Sequence, residues 1–119
     1  MQQEQASDSA TQMTLHQAQA EVDSSIQALG GYWPPLANLA RLFEECGELA
    51  RAVNQVHGAK LVKQGEAPAD AREELGDVLY VLLVLANSLD LDAAAALDAI
   101  LKKVRDRAVD PTQTRQGEH

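Results

Sequence analysis

Glu74-Leu75-Gly76-Asp77-Val78-Leu79-Tyr80-Val81-Leu82-Leu83-Val84-Leu85-Ala86 joins two opposite chemistries in one unbroken segment. It opens with two acids three residues apart and continues with nine residues, Val78 to Ala86, that are apolar but for one Tyr hydroxyl. A helix that is apolar on every side must be covered on every side. One chain of 119 residues does not readily do this, so the segment predicts a homo-oligomer built around it. The run is also far shorter than the ~18–20 residues needed to span a bilayer.

The acids have a counterpart upstream. Glu44-Glu45-Cys46-Gly47-Glu48 precedes Glu74 by 25 intervening residues and repeats the spacing, Glu45 with Glu48 as Glu74 with Asp77. On a helix that spacing puts both side chains on one face about a turn apart. Two such helices side by side would point four carboxylates at one another. A converging, ionised quartet must splay into water, take up protons or bind a cation. The bland alternative is a solvated acidic face, with Arg41 to Glu45, Glu48 to Arg51 and Arg72 beside Glu73 as local ion pairs. Against it, both pairs abut core sequence, and Gly47 and Gly76 are costly inside helices unless close helix approach requires them. All candidate ligands are oxygen donors, with no His or Cys at ligand spacing, which suits Mg²⁺, with Mn²⁺ as substitute, rather than Zn²⁺. A di-iron bundle would want Glu-x-x-His pairs, which are absent.

Composition agrees with helix. Aromatics are 3% of the chain while apolar residues reach 45%, mostly Ala, Leu and Val. The length suits one domain. A net charge of −8 argues against a nucleic-acid polymer or an anionic membrane as partner. The single Cys46, expected to be small and buried, fits a reducing compartment. With no basic and apolar leader blocks in residues 1–13, the chain is expected to be soluble and cytoplasmic.

Four helices are predicted, with a disordered tail over 1–13, a helical domain over 14–109 and a polar tail over 110–119. Thr14-Leu15-His16-Gln17 reads as a capping box opening a helix to about Leu29, ended by Gly30-Gly31. Its stripe is Leu15, Ala18, Val22, Ile26 and Leu29. Pro34-Pro35 opens a second helix, to His57, lined by Leu36, Leu39, Phe43, Cys46, Ala50 and Val53 and stopped at Gly58. Asp70 with Glu73 reads as a capping box for a third helix, to about Leu89. Asp92 caps a fourth, to about Arg107, with Leu97, Ile100, Leu101 and Val104 inward.

No Lys or Arg precedes Arg41, yet Lys102, Lys103, Arg105 and Arg107 fall within six residues. Cations at a helix C-terminus stabilise its dipole, which accounts for all four. Lys103 and Arg107 are also i,i+4 and share a face suited to phosphate oxygens. Asn87, polar within an apolar helix, is a satisfied core amide or a base-reading group. Trp33 before two prolines is a core or interface anchor, or a base-stacking platform. His16, His57 and His119 share no ligand spacing.

The acids and their flanks resemble the MazG-like, all-α nucleoside triphosphate pyrophosphohydrolases in their short single-domain branch. The likeness rests on Glu44-Glu45-x-x-Glu48 and Glu74-x-x-Asp77, on Pro35 to Leu42, Glu48 to Asn54 and Leu85 to Leu89, and spans about residues 15–107. It implies a four-helix MazG-like bundle assembling as a homodimer or homotetramer. It also implies Mg²⁺-dependent cleavage of a nucleotide between its α and β phosphates, giving a monophosphate and pyrophosphate. The family's metal ligands carry over to Glu45, Glu48, Glu74 and Asp77, and Glu44 becomes a further ligand or the group orienting the attacking water. The phosphate contacts fall on Lys103 and Arg107, and Trp33 and Asn87 carry over as base contacts. Two rivals are a non-enzymatic helical dimerisation module and a metal-binding bundle without nucleotide chemistry.

Overall fold

The computed structural model describes residues 12–58, 65 and 67–109. It is all-α: α1 is Leu15–Ala28, α2 Pro35–His57, α3 Ala71–Ser88 and α4 Ala93–Val109. Most of the expected N-terminal tail and the whole C-terminal tail, His119 included, lie outside the described residues.

Local chemistry sets the helix ends. Thr14 Oγ1 accepts from the Gln17 amide at 3.1 Å, and Gln17 Oε1 accepts from the Thr14 amide at 2.8 Å, which completes the expected capping box. Gly30 and Gly31 follow α1 with φ of +108° and +104°, a region open to glycine at little cost. Pro34 carbonyl oxygen accepts from the Ala37 and Asn38 amides and so starts α2 without a side-chain cap. Asp70 accepts from the Arg72 amide at 2.9 Å. The reciprocal bond expected from Glu73 does not form.

α2 and α3 run antiparallel. Asn38 and Val84 border one cavity, the acids meet in the middle, and Gln55 accepts from the Ala69 amide at 3.0 Å at the far end. α1 lies on α3 through a small core of Val22, Ile26, Leu83 and Val84, with Leu15, Ala18, Tyr32, Tyr80 and Ala93 against it. Tyr80 and Ser25 hydroxyls share a 2.8 Å hydrogen bond across this seam. α4 leaves α3 at a bend of 106° through Asp90, whose φ is +53°. It packs chiefly on α1, so the subunit alone does not close into a bundle.

Three packing expectations are corrected. Most of the α2 stripe does not face its own subunit: Leu36 is 80% exposed, Phe43 68%, Cys46, Ala50 and Val53 are exposed as well, and Leu39 is half-buried. The side of α2 that meets α3 instead carries buried Asn38 and Ala52, with half-buried Leu42, Glu45 and Leu49 between them. On α4, Leu97, Ile100, Leu101 and Val104 are all exposed rather than inward. Finally, a methyl group added at Gly47 or Gly76 would meet nothing, so neither glycine serves close approach within the subunit. Three helices and a crossing fourth form too thin a layer to cover two apolar faces on α2 and α3. No single described helix is long and apolar enough to cross a membrane.

Candidate functional site

The antiparallel pairing of α2 and α3 brings the two acid pairs together at mid-seam. One carboxylate oxygen each of Glu45, Glu74 and Asp77 lies within 4.8 Å of the other two. Glu45 and Glu74 are half-buried and Asp77 is exposed. The fourth expected ligand stands aside: Glu48 Oε2 is 3.3 Å from Arg51 Nε in an i,i+3 pair. That nitrogen is buried without a well-aligned hydrogen bond, so the pair is a loose one. Glu44 is exposed, about 100° round the helix from Glu45 at 3.6 residues per turn, and does not join the cluster.

Electrostatics record the convergence. Partial burial, and then the charges of Asp77, Glu48, Glu45 and Glu73, hold the Glu74 carboxyl above its ordinary value. The cluster is thus short of positive charge. Carboxylate oxygens gathered from two helices are the donor set that Mg²⁺ or Mn²⁺ takes. The residues present therefore fit a hard divalent ion.

The remaining expected contacts are dispersed. Lys103 and Arg107 lie on exposed α4. At 1.5 Å per residue along α3 and α4, Lys103 is on the order of 20 Å from Asp77 of its own chain. Trp33 is 59% exposed and has the Arg41 guanidinium over its ring, 5.8 Å from the centroid. Arg41 thus stands on Trp33 and not beside Glu45 as an i,i+4 pair. A cavity of about 120 Å³ opens here, bordered by Trp33, Arg41, Asn38, Ile26 and Val84. Arg41 is one helical turn from Glu45, and Val84 two turns from Asp77, so the cavity continues the acidic seam. Asn87 is a satisfied amide: its Oδ1 accepts from Gln19 Nε2 at 2.9 Å and its Nδ2 donates to the Gln19 carbonyl at 3.0 Å.

Sequence reasoning missed Asn38, Arg41 and Gln19. Asn38 is only 2% exposed and donates to the Trp33 carbonyl at 3.1 Å, holding the Trp33 turn beside the cavity. A polar residue on the α2 face that also carries Arg41 and Glu45 was its one available signal.

Comparison with known proteins agrees with this geometry. Residues 34–110 match the MazG nucleotide pyrophosphohydrolase domain. The uncharacterised protein YpjD of Bacillus subtilis (strain 168) is 49% identical over 98 residues, covering 82% of this chain and 88% of that one. The crystal structure of YpjD from Bacillus subtilis superposes with a TM-score of 0.69 at 48% identity, over 78% of this chain and 96% of that one. The Bacillus-conserved MazG protein, a nucleotide pyrophosphohydrolase, superposes with a TM-score of 0.68 at 41% identity, over 79% and 92%. The iMazG of Vibrio DAT 722 gives 0.55 at 25% identity, over 83% and 99%. With the match spanning both acid pairs and all of α2, α3 and the elbow into α4, the chain belongs to the MazG nucleotide pyrophosphohydrolase family and is a hydrolase.

Proposed function

We propose that this chain is a cytoplasmic, Mg²⁺-dependent nucleoside triphosphate pyrophosphohydrolase that cleaves between the α and β phosphates and removes unwanted nucleotides from the pool. The observation that carries the reading is the convergence of Glu45, Glu74 and Asp77 from two antiparallel helices. Glu48 would complete the ligand set by exchanging Arg51 for the ion. Bound there, Mg²⁺ supplies a Lewis acid to the phosphate oxygens, with Mn²⁺ as substitute. Glu44, exposed and adjacent, is left to orient the attacking water and accept its proton. Trp33 and its cavity, one to two turns along the seam, suit the base of a nucleotide whose phosphates lie at the acids. Asn87 is not carried forward as a base contact, because Gln19 engages its amide.

The same reading makes the active unit a homodimer or homotetramer. Lys103 and Arg107 are too far from their own acids to hold the same phosphates, so they serve the site of a second copy. The exposed faces of α2 and α4 give that copy apolar surface to cover. The chain's charge of −8 favours a nucleotide that arrives with Mg²⁺, and neither nucleic-acid polymers nor membranes are expected partners.

A nucleotide panel with Mg²⁺, with products resolved, tests the reaction. Monophosphate and pyrophosphate are expected, with turnover abolished by chelation. Orthophosphate as first product would contradict the cleavage position, and no turnover of any nucleotide would contradict the substrate class.

A further inference from the structure

We infer that Gln19, together with Asn87, is a positioning residue for the α4 basic pair: the two clasp the α3–α4 elbow and set the direction in which Lys103 and Arg107 are presented. The inference rests on the function proposed above and names residues that lie outside its site.

The Gln19 side chain spans the elbow. Its Nε2 donates to Asn87 Oδ1 at the end of α3 and to the Leu91 carbonyl in the turn, both at 2.9 Å. Its Oε1 accepts from the Ala93 amide, the first of α4, at 3.0 Å. Asn87 Nδ2 returns a bond to the Gln19 carbonyl at 3.0 Å. One turn earlier on α1, His16 Nε2 lies 2.9 and 3.0 Å from the two carboxylate oxygens of Asp92, which also accepts from the Ala95 amide at 3.1 Å. Opening amides of a helix usually find caps in nearby sequence. Here the cap of Ala93 comes from a side chain 74 positions away.

Little else in the subunit fixes this direction. α4 packs chiefly on α1, and every residue from Ala95 to Val109 is exposed. Lys103 stands ten residues beyond Ala93, a lever of ~15 Å, so a tilt of ~15° at the elbow carries its backbone ~4 Å. Misplacement of a catalytic group by about 1 Å can cost about 100-fold in rate. A loosened clasp would therefore remove the phosphate contacts while leaving the carboxylates on α2 and α3 undisturbed.

Gln19→Ala in the full chain tests this, with Asn87→Asp as a milder variant that keeps the shape and loses the donor. Both are expected to speed hydrogen exchange of the Ala93 to Leu97 amides. Mn²⁺ affinity, reporting the acids alone, should stay within about two-fold, while kcat/KM for the Mg-nucleotide should fall about ten-fold or more. In a Lys103→Ala/Arg107→Ala background Gln19→Ala should cost nothing further, since both contacts it positions are already gone. Unchanged exchange at the start of α4, a parallel loss of Mn²⁺ affinity, or an equal loss in the Lys103→Ala/Arg107→Ala background would each overturn the inference. Should the wild-type protein turn over no nucleotide, the functional reading fails, and the exchange measurement still decides whether Gln19 holds the elbow.

Discussion

Glu74 carries the electrostatic strain of the acid cluster. Partial burial and the surrounding carboxylates make it hold a proton more readily in the folded chain than in the unfolded one. The sign follows from linkage: when the folded state binds the extra proton, stability falls as pH rises from the ordinary Glu range, about 4.3, through the raised value. Ionised Glu74 thus opposes folding at pH 7. Glu74→Gln is expected to raise the Tm of the metal-free protein at pH 7, with the gain vanishing below about pH 4. The same change is expected to weaken Mn²⁺ binding by more than about 100-fold, since outer partners of a metal ligand already contribute 10–100-fold. Thermal melts in chelator at the two pH values, paired with a Mn²⁺ titration, check both signs. A lower Tm at pH 7 would mean that Glu74 supports the metal-free fold.

α2 shows what helical periodicity reveals and what it conceals. Its start, and both ends of α1, follow from local chemistry: the Thr14 box, the Gly30-Gly31 turn and Pro35 at the first position. The acid pairs were equally readable, because three-residue spacing on a helix is a local fact. Leu36, Phe43, Cys46 and Val53 share one apolar stripe that reads as core and is open. An apolar period says that a face is covered, and not whether its own chain or another covers it. Arg41 had two partners within reach, Glu45 and Trp33, and tertiary placement of the Trp33 turn chose the ring. The Gln19–Asn87 clasp joins residues 68 apart whose amides leave no periodic trace, so nothing in the sequence announced it. Phe43→Glu places a charge on the open face of α2 without touching the α2–α3 seam. Sedimentation is expected to show a smaller assembly with helix content retained. An unchanged mass would move the subunit contact to another face.

Taken together, the four helices divide the work. The α2–α3 pair holds the carboxylates, α1 braces α3 and clasps the elbow, and α4 extends its cations away from its own acids. On the proposed function such a subunit would be half of a site in charge as well as in packing: acids on one element, cations on another, and apolar faces between. All of this depends on the acidic edges of α2 and α3 meeting around a divalent ion. Crystals soaked in Mn²⁺ and measured at the manganese absorption edge test it most directly. An anomalous peak is expected among Glu45, Glu74 and Asp77, with Glu48 drawn away from Arg51 towards it. A peak elsewhere, or none with the carboxylates turned to separate solvent, would contradict it.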